Sequence, residues 1–475
     1  MYRMLKFFAV AALPLVAAGV IAAGGLDGLS EEERSAGVLT VARFDEHAFD
    51  QAPEGMPYRE LQTFLRGRHH FNQRWVQFPS IGGDWGLGPT FITNKCVACH
   101  ERAGRGFPPE TATEDPLALL MRVSIPGEGP HGGPNPHPHY GDQIQNQGMM
   151  GQDRDDTFLG DRVPPEAKWF VDWETSTVAY TDGETVALRR PRIRWGQTWF
   201  GPIGEQTMTS LRLAQPIQGL GLLEVVPEEA LLAIAAAQKP LGYNGRLNRV
   251  RDDINGTTAP GRFGWKANEP SVAQQIAAAF AGDLGVTSDL YPHMNCPPVQ
   301  VDCAGQPPGN QPELIESDWK ELTFWEQLLA VPARRNVKDP RFVRGAALFR
   351  QIECAVCHVP ELRTADRVGH SKLLAGQTVR AYTVLLLHDM GEGLADGRPD
   401  YLAGPRDWRT QPLWGLGLTR VVSGRPHMAL LHDGRARTIA EAILWHGGES
   451  ERSREKFRAL PKAQREDLLF YLESI

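Results

Sequence analysis

CVACH at residues 96–100 returns as CAVCH at residues 354–358, and the two pentapeptides take four of the six cysteines in this 475-residue chain. The pattern suits covalent haem, because two thiols at this spacing reach the two vinyl groups along one porphyrin edge while the adjacent His ligates the iron beneath it. On this reading Cys96, Cys99 and His100 hold one haem c (iron), and Cys354, Cys357 and His358 hold a second. A redox-active dithiol and a structural zinc site also use Cys-x-x-Cys, but neither needs the trailing His. Each pair here opens into Gly- and Pro-rich chain, not a compact βαβ unit or a closed four-ligand set. Before the second motif, RGAALFRQIECAVCH puts Gly345, Leu348 and Phe349 on a short helix that leads into the attachment point. Cys296 and Cys303 have no following His; in an oxidising compartment they form a disulfide across a short Pro-containing loop, with a free thiol pair as the alternative.

Hydrophobic residues make up 41% and charged residues 23% of the chain, the balance of a folded protein with apolar mass for more than one core. The 49 Gly and 36 Pro are spread along it, which predicts long irregular connections between mostly helical pieces and disfavours a large continuous sheet. A net charge of −7 without a basic run excludes nucleic acid as a partner class. Arg3 and Lys6 precede an apolar run from Phe7 to Ala23, followed by small residues and Glu31-Glu32-Glu33. That is an export signal, either cleaved near Ala22 to Gly24 or kept as an anchor in the inner membrane, and it gives a periplasmic address. Residues 1–28 are therefore read as signal or anchor, 29–330 as an N-terminal haem c domain with a long insertion, and 331–475 as a C-terminal cytochrome c-like haem domain.

GWKANEPSVAQQIAAAF and HDGRARTIAEAILWH follow the two motifs and align without a gap. Ser271 with Gln274, and Thr438 with Glu441, make capping boxes that start a helix at the same register in each. On the second helix Ile439, Ile443 and His446 share one face; on the first, Val272, Gln275, Ile276 and Ala279 do, so that Gln275 is a polar group on an apolar stripe. The repeat predicts a duplicated haem domain. Its first copy is expanded by a stretch around IPGEGPHGGPNPHPHYGDQIQ, expected to lie over the first haem as a lid or channel. The fold class expected is mainly α: two cytochrome c-like haem domains with long irregular loops, related by internal duplication.

Together, GLGPTFITNKCVACH, QGLGLLEVVPEEALL, GRFGWKANEPS, LLLHDMGEGLADG, WRTQPLWGLGL and LLHDGRARTIAEAILWHGGE resemble the di-haem cytochrome c peroxidase and MauG superfamily, over most of the chain. Within it the sequence looks like the di-haem oxidoreductase branch, also labelled thiol oxidoreductase-like, a label better explained by cysteines that attach haem. In similar peroxidases the distal ligand of the C-terminal haem, commonly Met, lies fourteen residues after the His of an HDG motif. HDG starts here at His432, so the resemblance puts His446 in that place and implies ligation by His358 and His446, with His388 as the rival and plain helix capping as the other reading of His446. At the N-terminal haem of such enzymes a Gln and an acidic residue act on peroxide. Gln275 matches the Gln by its spacing from Trp265, and Asp283 is the candidate acid, although DLG replaces the usual EMG and lies two residues closer. Trp265 matches the Trp that lies between the haems. The family's distal His, about sixteen residues beyond the attachment His, has no counterpart after His100, which leaves that iron open or ligated by His137, His139 or Met208.

The resemblance implies a periplasmic di-haem c oxidoreductase of peroxidase type, in which a partner protein exchanges electrons at the C-terminal haem and an oxidant such as hydrogen peroxide reacts at the N-terminal one. The alternative is a non-enzymatic di-haem electron-transfer cytochrome, for which Gln275, Asp283 and the insertion are unnecessary.

Overall fold

Helix Tyr58–Asn72 crosses helix Glu316–Gln327 at Gly67, where a Cβ would stand 2.1 Å from the Glu321 carbonyl oxygen; only a residue without a side chain permits that approach. Helix Pro340–Gln351 crosses helix Lys462–Ser474 in the same manner at Gly345, whose Cβ would lie 2.3 Å from the Asp467 carbonyl. Each glycine-bearing helix precedes a Cys-x-x-Cys-His segment, Cys96–Ala98 and Cys354–Cys357 forming a single turn in each. The computed structural model describes residues 28–78, 83–149, 163–307, 309–369 and 371–475. The export segment at 1–27 thus lies outside the described residues, among which no helix is long and apolar enough to cross a membrane.

Both predicted caps form: the Ser271 hydroxyl accepts from Gln274 N ahead of helix Val272–Ala279, and that of Thr438 accepts from Glu441 N ahead of helix Ile439–Trp445. Cys296 and Cys303 are joined in a disulfide.

The expectation of a mainly α chain is wrong. Helix accounts for 32% and strand for 21%, the strands lying in many small sheets. Most of this β structure lies between the first haem motif and GRFGW, the stretch read from its Gly and Pro content as irregular. Leu119–Glu128 pairs antiparallel with Met208–Leu213, Leu119 opposite Leu213. Its inward residues Leu119, Met121 and Val123 recur with the period of two that a half-buried strand requires. Ala167–Ala179 and Thr185–Thr198 make a long hairpin with Trp169 opposite Trp195. Its turn holds Asp182-Gly183, and Gly183 takes φ +89°, the left-handed conformation glycine supplies without strain. Alternating β-branched and aromatic residues around a DG turn mark a hairpin, and here that local signal outweighs composition.

Three large apolar clusters and two small ones fill the interior among the described residues, one of the small ones built on Trp265, Leu394 and Trp408. Of the large ones, one gathers Phe64, Phe71, Leu222, Trp325, Leu385 and Trp414, with members on both sides of residue 330. A second collects Phe349, Tyr382, Leu444, Phe457 and Tyr471. The third lies beneath the inserted strands and includes Met121, Tyr140 and Trp169.

Candidate active site

Each Cys-x-x-Cys-His segment opens into its own cavity. Cys96, Cys99 and His100 line one of about 1190 Å³, and Cys354, Cys357 and His358 line another of about 1350 Å³, both counted with their open mouths. All four cysteines are free thiols. Burial pushes the Cys99, Cys354 and Cys357 thiols up to about 12, and Cys96 higher still, the opposite of the depressed values that make a dithiol redox-active.

The two histidines are held alike. His100 Nδ1 donates to the Gln215 carbonyl at 2.6 Å and His358 Nδ1 to the Tyr382 carbonyl at 2.9 Å, which fixes the tautomer and leaves each Nε2 for a metal. Burial lowers both pKa values, that of His358 to about 4, so both imidazoles are neutral, the form a ligand needs. Two paired free thiols, one oriented neutral imidazole and a largely apolar cavity fit haem c at each place.

Around His358, the cavity also holds His446, the residue that caps helix Ile439–Trp445. Its Nδ1 donates to the Ala442 carbonyl at 2.7 Å, so His446 caps the helix and still keeps Nε2 for the cavity. The rival, His388, lines the same cavity: its Nδ1 bonds Glu449 at 2.9 Å and lies 3.8 Å from Cys357 Sγ, and its Nε2, without a hydrogen-bond partner, is buried beside Gly245, whose Cβ would come within 3.0 Å of it.

Around His100 the cavity is lined by Gln275, Asp283 and Trp265, so all three residues singled out in the sequence meet the first motif in one space. Gln275 projects from helix Val272–Ala279, and Asp283 from the π-turn Phe280–Leu284 that continues it. Asp283 Oδ1 accepts from Gln143 Nε2 at 2.7 Å, and Gln145 Nε2 donates to the Gly282 carbonyl at 2.7 Å, which brings the GDQIQ end of the insertion onto this wall. Burial raises the Asp283 pKa above the ordinary carboxylate value against the lowering effects of Arg122 and Gln143. Trp265 is 6% exposed, donates Nε1–H to the Leu213 carbonyl at 2.7 Å, and lines both cavities.

The three candidate ligands for the first iron lie elsewhere. His137 uses Nε2 on the Ile203 carbonyl and Nδ1 on His139 N, His139 bonds the Phe200 carbonyl, and Met208 opens an inserted strand; none lines the His100 cavity. Among the described residues that cavity presents no second His and no Met, Lys or Tyr.

Sequence reading missed several lining residues. Glu326 sits in the His100 cavity with its carboxyl pushed up by burial to about 8; a Glu inside LTFWEQLL, four residues after the buried Leu322, was the available signal. Arg409 lines both cavities and Arg105 lines that of His358. Gln143 is placed by long-range packing alone.

The family described as "Di-haem oxidoreductase, putative peroxidase" matches residues 30–475. No curated protein and no solved structure matches the chain.

Proposed function

The chain belongs to the di-haem oxidoreductase family, and from that premise we propose that it carries two covalent haems c, takes electrons from a partner protein at the His358 haem and uses them to reduce a small oxidant such as hydrogen peroxide at the His100 haem. The observation that carries this reading is the asymmetry of the two cavities. Among the described residues the His358 cavity is lined by further imidazoles, His446 among them, whereas the His100 cavity is lined by no second His and no Met, its polar lining including Asn268, Gln275, Asp283 and Glu326. An electron relay needs two closed irons; a catalyst needs one open.

When bound, haem supplies an iron that exchanges electrons one at a time and accepts an added axial ligand. The residues supply the rest. His100 is held neutral and oriented by Gln215. Gln275 offers an amide to hydrogen-bond an oxygen in the cavity. Asp283, its Oδ1 engaged by Gln143, keeps a proton on Oδ2 to higher pH than an exposed Asp, and can give that proton to a departing oxygen as water forms. Trp265, which lines both cavities, sets a polarisable ring held by its hydrogen bond to Leu213 where an electron can pass from one to the other. The proposed setting is the periplasm, after export by the N-terminal segment, with that segment cleaved or kept as a membrane anchor.

Two measurements follow. Holoprotein supplied with a reduced small donor should consume peroxide through many turnovers; if both haems cycle on an electrode yet peroxide oxidises neither, the relay reading replaces this one. Substituting His446→Met should raise the potential of the His358 haem, since a thioether stabilises the ferrous state more than imidazole does. An unchanged potential and spectrum would leave His446 as a helix cap.

A further inference from the structure

Two arginines with unsatisfied guanidinium groups stand at the seam between the cavities. Arg105 follows the first motif by five residues yet lines the cavity of the second, and its Nε and Nη1 are buried without a hydrogen-bond partner. Arg409 lies in the C-terminal half and lines both cavities. Its Nε donates to the Gly264 carbonyl at 2.8 Å and its Nη2 to the side-chain carbonyls of Gln215 and Gln411 at 2.8 and 2.9 Å, which fixes the fork, while Nη1 is buried with no partner. Between them lies Trp265, with the Arg105 guanidinium carbon 5.8 Å from its ring centroid.

Other buried arginines nearby are neutralised: Arg212 by Asp400 at 3.2 Å and Arg435 by Asp433 at 2.6 Å. Among the described residues neither Arg105 nor Arg409 is in an ion pair. Burial lowers them to about 10 and about 9, still charged at neutral pH. A desolvated guanidinium without a counter-charge is strongly unfavourable, and a carboxylate is the counter-charge that its free N–H groups fit.

We propose that Arg105 and Arg409 are the carboxylate-binding residues for the porphyrin propionates, Arg105 serving the His358 haem and Arg409 serving both haems from the seam. The inference rests on the reading of two bound haems. Arg105 thus reaches from the N-terminal half to the His358 cavity and Arg409 from the C-terminal half to the His100 cavity, so that haem bound on either side is tied to the other half of the chain. A cation beside a haem disfavours the ferric state, so removing it lowers that haem's potential.

The test uses holoprotein with Arg105→Gln, Arg409→Gln, Arg105→Lys and Arg409→Lys, each haem followed by its own optical and paramagnetic signal during redox titration. Haem retained on the denatured unaltered chain establishes the cofactor first; if none is retained, it is the haem reading that falls. With both haems loaded, Arg105→Gln should cut the reduced-to-oxidised ratio of the His358 haem alone at a fixed applied potential by roughly tenfold, ~59 mV for one electron, and Arg409→Gln should do so at both haems. The Lys variants, which keep the charge but lose the fork, should move it less than about threefold. If a Gln variant fails to load while its Lys counterpart loads both haems, the need for charge supports the proposal. Unchanged potentials in loaded Gln variants overturn it, as does failure of Gln and Lys variants alike, which would mean that guanidinium shape alone is needed for folding.

Discussion

A chain carrying Cys96→Ala and Cys99→Ala is expected to keep one haem after denaturation where the unaltered chain keeps two, with its mass lower by one porphyrin. The two thiol pairs line separate cavities, so loss of one attachment site leaves the other's lining untouched. The surviving spectrum should be that of the His358 haem. Cys354→Ala with Cys357→Ala should give the converse. Mass spectrometry of the denatured protein and haem staining of a gel read the result, and release of all haem from the unaltered chain under denaturation would show that the thiols do not hold it.

Gln275→Ala and Asp283→Ala should each slow peroxide turnover by about 10²-fold or more, the usual scale for removing a positioned proton donor or orienting group. Neither side chain ligates an iron on this account, so both haem spectra and potentials should persist. Loss of turnover with intact spectra therefore separates catalysis from folding. For Asp283 the sign of the pH dependence also follows. Its pKa is raised by burial, so its proton is retained above the ordinary carboxylate range, and the turnover it supports should fall as pH rises through that raised value. The Asp283→Ala variant should lose that limb of the profile. Equal turnover in both variants would falsify their assignment.

How much of this was legible beforehand depended on whether the signal was local. The Cys-x-x-Cys-His motifs, the Ser271 and Thr438 caps and the Cys296–Cys303 pair are short-range patterns, and the structure contains each of them. Gln275, Asp283 and Trp265 were matched to residues of similar peroxidases, and they do line one cavity, Gln275 and Asp283 at a register set by the Ser271 cap. The strands were misjudged although Asp182-Gly183 and the alternation Leu119, Met121, Val123 were equally local: Gly and Pro content was given more weight than period two. Arg105, Arg409 and Gln143 could not be found that way. Each gains its place from a segment distant in sequence, as Gln143 does on Asp283, and an arginine in the sequence carries no mark of whether a carboxylate will stand beside it once folded.

The central claim is that one iron is open and the other closed, and the paramagnetic resonance spectrum of the ferric holoprotein at low temperature tests it most directly. The account predicts one high-spin signal from the His100 haem, absent after Cys96→Ala and Cys99→Ala, beside one low-spin signal from a haem ligated by His358 and His446. Two low-spin signals that persist after reduction and reoxidation would contradict it and leave an electron-transfer cytochrome.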